Sequence, residues 1–431
     1  MRKQLHFKTS LLAAVLVLAS LLSFAQEYST NKVLNRVVNV PSSVVIDMKN
    51  HSGDLKFSIG DGNSVSIKTE VHVEARTEEE AQKLVKAIED FQFELVGNRL
   101  VIDTRFYKNM NSTNNKTTMT LNNGDKIHLK DFEISHEITM PKGAGLELEN
   151  KYSHVILPSL EGEADLNLYS GKMTAADFNS KVKLTAKYSK ISVGNFMGNT
   201  ALELYDTDIE FKTSKDIEIN SKYSKVEASR TGALESESYD DKFFIDEMES
   251  LTLNAKYSDL ESKAALKTLN LELYDCVIAV KSAGSMNFNG KYSKLKVGDV
   301  QIVKMDDVYD SNVNFGKTGK VEIGKSKYSE FVMSDNAGLT IDDSYDDDVQ
   351  ISSLSSGFTG ISINGKYTKL NVNSGSVPFK VDVMMKYGKV DIPSSIKTLK
   401  HIEKNSEVEI EAGSSGSPIM IRGYDNTVVI R

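Results

Sequence analysis

The sequence predicts an all-β protein, a single-stranded β-solenoid with coils of about 18 residues, entered through a strand-rich cap that carries one short helix. Three observations predict it. Fifteen of the 17 tyrosines recur at a near-constant spacing, apolar residues alternate with period two around each of them, and the parity of that alternation changes at every tyrosine. The tyrosines are Tyr152, Tyr169, Tyr188, Tyr205, Tyr223, Tyr239, Tyr257, Tyr274, Tyr292, Tyr309, Tyr328, Tyr345, Tyr367, Tyr387 and Tyr424, and up to Tyr345 the gaps run 17, 19, 17, 18, 16, 18, 17, 18, 17, 19 and 17. Period-two alternation marks strands with one buried face, and a parity change means that the chain turns.

Residues 1–25 read as a secretory signal. Arg2, Lys3 and Lys8 make a positive start, Leu11 to Leu22 is an apolar run broken only by Ser20, and Ser23-Phe24-Ala25 offers a small-residue cleavage site before Gln26. The run is shorter than the roughly 20 residues of a comfortable membrane span. Export of residues 26–431 to the periplasm or cell surface is expected, with no transmembrane segment left after cleavage. Removing three positive charges from the chain's net −8 leaves −11, and no long basic block is present, which argues against nucleic acid as a partner.

Residues 26–143 form the predicted cap. Val44 to Met48, Asp54 to Phe57 and Val65 to Ile67 alternate like strands. Residues 77–91 read as a helix: Thr77 caps it, Glu80 stands three residues on, and Ala81, Leu84, Val85 and Ile88 form an apolar face. The Asn- and Thr-rich run from Asn109 to Asn123 reads as a mobile loop.

Residues 144–431 form the predicted tyrosine-cornered solenoid, with two kinds of corner that mostly alternate. One is Lys-Tyr-Ser, as at Tyr188, Tyr223, Tyr257, Tyr292 and Tyr328; the other is Tyr-Asp, as at Tyr205, Tyr239, Tyr274, Tyr309 and Tyr345. Polar stretches such as Met197 to Thr200 and Thr213 to Asp216 supply the second bend of each coil. A coil of 18 residues rather than a 35-residue double unit follows from charge. The double unit would stack lysine on lysine at strand spacing, whereas the shorter coil interleaves Lys-bearing and Asp-bearing corners. The gap from Tyr387 to Tyr424 is 37 residues, about two periods, so Asn405 between them reads as a corner that has lost its aromatic. One coil buries about four aliphatics, roughly 6–12 kcal/mol gross, less than the ordering cost of about 1–2 kcal/mol per residue, so coils must stabilise one another.

The order of parts resembles the bacterial putative-adhesin family of exported β-solenoid domains of unknown function. The resemblance lies in an early strand followed by Ser52-Gly53-Asp54, a short helix, Pro141-Lys142-Gly143-Ala144 and then repeated corners, across most of residues 40–431. It departs in placing Tyr where that family often has Ser-Gly. The resemblance implies a right-handed β-helix in the cell envelope.

Little in the sequence points to catalysis. The seven histidines form no zinc motif, and neither a nucleophile elbow nor a phosphate loop is present, so no catalytic, metal or cofactor residues are expected. Asp240-Asp241, Asp306-Asp307 and Asp346-Asp347-Asp348 sit in corners and read as solvated charge, with calcium as the alternative. Cys276 alternates with Ile278 and Val280 and reads as a buried small residue. The one candidate contact surface is the ladder Tyr188, Tyr205, Tyr223, Tyr239, Tyr257, Tyr274, Tyr292, Tyr309, Tyr328 and Tyr345, where rings either stack on a ligand or pack over one another. The expected role is a non-enzymatic envelope scaffold, adhesion or binding module, with a glycan or another envelope protein as partner. Its rivals are a polysaccharide lyase or glycosidase on the same fold, which a pair of carboxylates about 5–9 Å apart would mark, and an envelope stress-response accessory.

Overall fold

The computed structural model describes residues 28–113 and 116–431; the signal reading of residues 1–25 lies outside them. About 73% of the chain is strand, wound into a β-solenoid of about 13 turns with coils about 18 residues apart. Two compact units divide it: one runs to Glu163 and includes 170–172, and the other comprises 164–169 and 173–431. Among the described residues no helix is long and apolar enough to cross a membrane.

In the first unit, Val45–Asn50 pairs in parallel with Arg99–Asp103 on one side and Gly145–Lys151 on the other. Asp54–Gly60 lies parallel to Lys126–Pro141 and to His154–Leu157. The Ser52-Gly53-Asp54 corner therefore opens the first coil, and Gly53 (φ 95°) is required there because a Cβ would meet the Ile134 carbonyl at 2.8 Å. Along its other edge, from Leu129 to Thr139, Lys126–Pro141 pairs antiparallel with Ser64–Ala75, which in turn pairs antiparallel with Tyr28–Asn39.

Helix α1 (Glu78–Glu89) packs Ala81, Leu84 and Ile88 into a cluster with Val71, Val73 and Leu129. Thr77 Oγ1 accepts from the Glu80 amide at 3.2 Å, as the capping signal predicts. The Glu80 carboxylate does not reach back to the cap amide. It accepts instead from the His128 amide and contacts His128 Nδ1 at 2.8 Å, tying the helix to the sheet.

The expected loop at 109–123 is a hairpin instead. Tyr107–Thr113 and Lys116–Leu121 pair antiparallel, and the second strand continues onto Lys126–Pro141. The threonines that suggested a polar loop suit a strand, and Met119 and Leu121 are fully buried beneath it.

In the second unit successive coils pair in parallel and in register. Lys187 lies opposite Tyr205, which lies opposite Lys222, so one coil is 17 or 18 residues and the two corner types interleave. Leu184, Leu202 and Ile219 form one buried row and Ile191, Ile209 and Val226 another. Between Lys225 and Tyr345 the two arms of each coil merge into continuous strands of 15 or 16 residues such as Lys225–Tyr239, Lys242–Lys256 and Asp259–Tyr274.

The last coils depart from sequence order. Gly360–Lys366 is followed in space by Ser417–Tyr424, and only then by Phe379–Lys386. Thr427–Ile430 likewise lies between Lys369–Val372 and Lys389–Asp391. Beyond Phe379–Lys386 the sheet closes with antiparallel Glu407–Ala412 and then Thr398–Lys404. Asn405 is therefore not a lost corner. Asn405 and Ser406 (φ 53° and 70°) are the two central residues of a tight hairpin, where both must be left-handed, and the 37-residue gap holds that hairpin rather than a coil.

Candidate binding surface

From Tyr188 to Tyr345 each corner of the second unit is three residues: the end of a strand, one left-handed residue and one buried small residue. In Lys-Tyr corners the left-handed residue is the tyrosine, as at Tyr188, Tyr223, Tyr257, Tyr292 and Tyr328 (φ 54–58°). In Tyr-Asp corners it is the aspartate, as at Asp206, Asp240, Asp275, Asp310 and Asp346 (φ 45–56°), and the tyrosine is the strand end. The left-handed turn changes the parity at every corner, and the two corner types differ by a one-residue offset of the tyrosine.

The same offset sets the rings at right angles. Tyr188, Tyr205, Tyr223, Tyr239, Tyr257, Tyr274, Tyr292, Tyr309, Tyr328 and Tyr345 form an unbroken herringbone, each ring 5.4–5.7 Å from the next with planes 76–89° apart. Tyr169 extends it at one end, and Tyr367, Tyr424 and Tyr387, in that spatial order, at the other. Identical corners would lay rings face to face at strand spacing. Edge-to-face contact is the attractive arrangement of two ring quadrupoles, and it helps to offset the left-handed backbone of a bulky residue.

The tyrosines of Lys-Tyr corners remain 41–47% exposed, so the ladder is packed and accessible at once. Desolvation first, then neighbouring phenols and aspartates, push the Tyr188, Tyr223, Tyr257 and Tyr292 hydroxyls above their ordinary range, which keeps them neutral donors. Lys327 Nζ lies 4.7 Å and 4.8 Å from the Tyr328 and Tyr345 ring centroids, adding a cation over the rings. Tyr257→Ala removes two edge-to-face contacts and is expected to lower the melting temperature by a few degrees in a thermal scan.

Beneath the rings runs a second ladder that the tyrosine count overlooked. The residue after each left-handed position is Ser189, Thr207, Ser224, Asp241, Ser258, Cys276, Ser293, Ser311, Ser329 or Asp347, and all ten are buried. From Thr207 to Asp347 each side chain accepts from the backbone amide at the same place in the preceding coil: Thr207 from Ser189, Ser224 from Thr207, Asp241 from Ser224. The hydroxyls also donate to the carbonyl two residues back in their own coil, as Ser224 does to Lys222 and Ser258 to Lys256. Cys276 takes a place in this row, its Sγ 3.5 Å from the Ser258 nitrogen. The signal was present in the sequence as a small residue invariably following Lys-Tyr or Tyr-Asp.

The acidic runs divide differently from expectation. Asp241 and Asp347 are 1% exposed, not solvated. Asp241 Oδ1 accepts from the Ser224 amide at 2.7 Å, and Oδ2 from Ser221, Ser238 and the Tyr239 amide. Asp347 accepts from the Ser329 amide and Ser344. Burial pushes both carboxyls up, and these donors oppose it. Asp306 and Asp307 stand exposed short of the Tyr309 corner, both amides donating to Asn289 Oδ1. Among the described residues no group of three or more His, Cys, Asp or Glu is placed to hold a metal ion.

Two open grooves flank the corners on the outer strand faces. One, beside the rings, is floored by Glu203, Asn220, Glu237 and Asn254. The other is centred on Phe244, 41% exposed, with Glu227 and Glu261 in register on the coils either side. Glu227 there is paired with Lys225 at 2.5 Å.

No protein-family model matches the chain, and no curated protein matches it. A solved structure described as a putative cell adhesion protein from Clostridium sporogenes ATCC 15579 aligns over 93% of this chain and 99% of its own, at 11% identity and a TM-score of 0.18.

Proposed function

We propose that the protein is a non-catalytic, exported module of the cell envelope whose tyrosine herringbone and flanking rows form an extended adhesion or scaffold surface. The observation that carries this reading is the uninterrupted, half-exposed ring ladder, which offers the same contact at every second coil. A surface of that kind gains avidity from repetition rather than affinity from one pocket.

The chemistry of the carboxylates supports the same reading over a glycosidase or lyase. A general acid needs a carboxyl raised by burial and facing its substrate. Here the raised carboxyls, Asp241 and Asp347, face inward and are engaged by hydroxyls and amides. Glu210 and Glu227 are in register on adjacent coils of the other groove, roughly 4.8 Å apart by strand spacing, with Glu261 two coils from Glu227. They stand on an open strand face, however, where Glu210 is exposed and Glu227 is occupied by Lys225.

The test is retention of the chain on cell-envelope fractions, compared with a Tyr223→Phe, Tyr257→Phe, Tyr292→Phe triple variant. Phenylalanine keeps the rings and loses only the hydroxyls. Retention should fall several-fold at an unchanged melting temperature. Equal retention of both proteins removes the reading and leaves the ladder a purely structural device.

A further inference from the structure

We propose that the groove beside the herringbone binds an uncharged, extended β-linked polysaccharide, one disaccharide to every two coils. This rests on the surface being a binding face at all, and it names the ligand class.

Three rows run side by side along the second unit. The strand-end row alternates Lys187, Tyr205, Lys222, Tyr239, Lys256 and Tyr274. Two residues before it, the groove floor alternates Thr185, Glu203, Asn220, Glu237, Asn254 and Glu272, in register from coil to coil. Glutamates fall only on Tyr-Asp coils, and the amides and Thr185 only on Lys-Tyr coils. Past the rings comes the exposed row Asp206, Asp240 and Asp275. The surface unit is therefore two coils, roughly 9.5 Å, and it repeats three times between Thr185 and Asp275.

Charge selects the class of ligand. Three lysines stand among six carboxylates in that stretch, so a polyanion meets net repulsion, and a polycation, though drawn by the net charge, must set its charges against a lysine in every unit. A polyhydroxylated, uncharged chain meets neither cost. Its hydroxyls donate to Glu and Asp and accept from Lys and Asn, while its C–H faces lie on tyrosine rings. Period selects the linkage. An extended β-1,4-linked hexose chain flips alternate rings, so it too repeats every two units, and two pyranose rings laid end to end cover one two-coil step. An α-1,4-linked chain has the same hydroxyls but curls away from a straight row.

Titration calorimetry of the full chain with cellohexaose and chitohexaose, against maltohexaose and polygalacturonate, tests this. At least one β-linked hexamer should bind, with the α-linked and acidic sugars at least tenfold weaker. Glu237→Gln with Glu272→Gln leaves the ring ladder intact and should weaken that binding about tenfold at an unchanged melting temperature, the loss expected for charge-assisted hydrogen bonds. Equal binding of maltohexaose, preference for polygalacturonate, or no effect of the double variant overturns the proposal. If no oligosaccharide binds while envelope retention persists and still depends on the tyrosine hydroxyls, the ligand class is wrong and the binding surface stands. If neither is seen, both fall.

Discussion

Removing residues 417–431 is expected to unfold the coils around Tyr367 and Tyr387 and to shift the denaturation midpoint of the second unit more than any single substitution. Ser417–Tyr424 and Thr427–Ile430 are flanked on both sides by parallel partners. Their deletion strips hydrogen bonds from two neighbours and withdraws Ile419, Ile421, Val428 and Ile430, all at most 2% exposed. Those four side chains alone represent roughly 6–12 kcal/mol of gross burial. Gly423→Ala should reproduce part of the loss, because at φ 129° a Cβ would stand 1.8 Å from the Gly365 carbonyl oxygen. Denaturant titration with limited proteolysis checks both. A truncated chain that melts like the intact one, with no new cleavage between 355 and 412, would show that this strand does not fill an interior slot.

Asp241→Ala should be the most damaging single change among the corners. It strands the Ser224 and Tyr239 amides in a buried site, at about 1–3 kcal/mol each, while the serine hydroxyls can rotate to other acceptors. Asp241→Asn keeps an acceptor for the Ser224 amide and should lose much less. Asn426 already serves in this way, accepting from the Thr368 amide at 3.0 Å. The pair also reports on charge. Burial raises the Asp241 carboxyl above its ordinary 3.8, so the unfolded chain gives up this proton first. The group's contribution to stability is therefore greatest below about pH 4 and declines as pH rises through the folded value, then levels. Asp241→Asn should flatten that part of the stability–pH curve. An identical curve in the variant would mean that the carboxyl is not raised.

Most of the architecture was legible because its signals are local and repeated. Tyrosine spacing gave the coil, alternation gave the buried rows, and Thr77 with Glu80 gave the helix start. The threading of Ser417–Ile430 was not legible by counting, since 37 residues between tyrosines looks like two coils whatever the chain does between them. A subtler sign was present. Lys366-Tyr367 and Lys386-Tyr387 are Lys-Tyr corners adjacent in sequence, where every earlier pair alternates, and Tyr424-Asp425 is the corner that restores alternation when placed between them. The burial of Asp241 and Asp347 was hidden for another reason. Composition treats a run of aspartates as one charged patch, while a left-handed corner sends the first outward and the second inward.

The displaced strand also bears on how the molecule comes to be finished. Ser417–Ile430 is synthesised after both strands it separates, so growth from the amino end cannot complete the stack layer by layer. A gap must stay open between the layers of Tyr367 and Tyr387 until the later segment arrives. A chain cut short by the ribosome or by a protease is thus marked by an unfilled seam, and only a polypeptide made through residue 430 can zip itself shut.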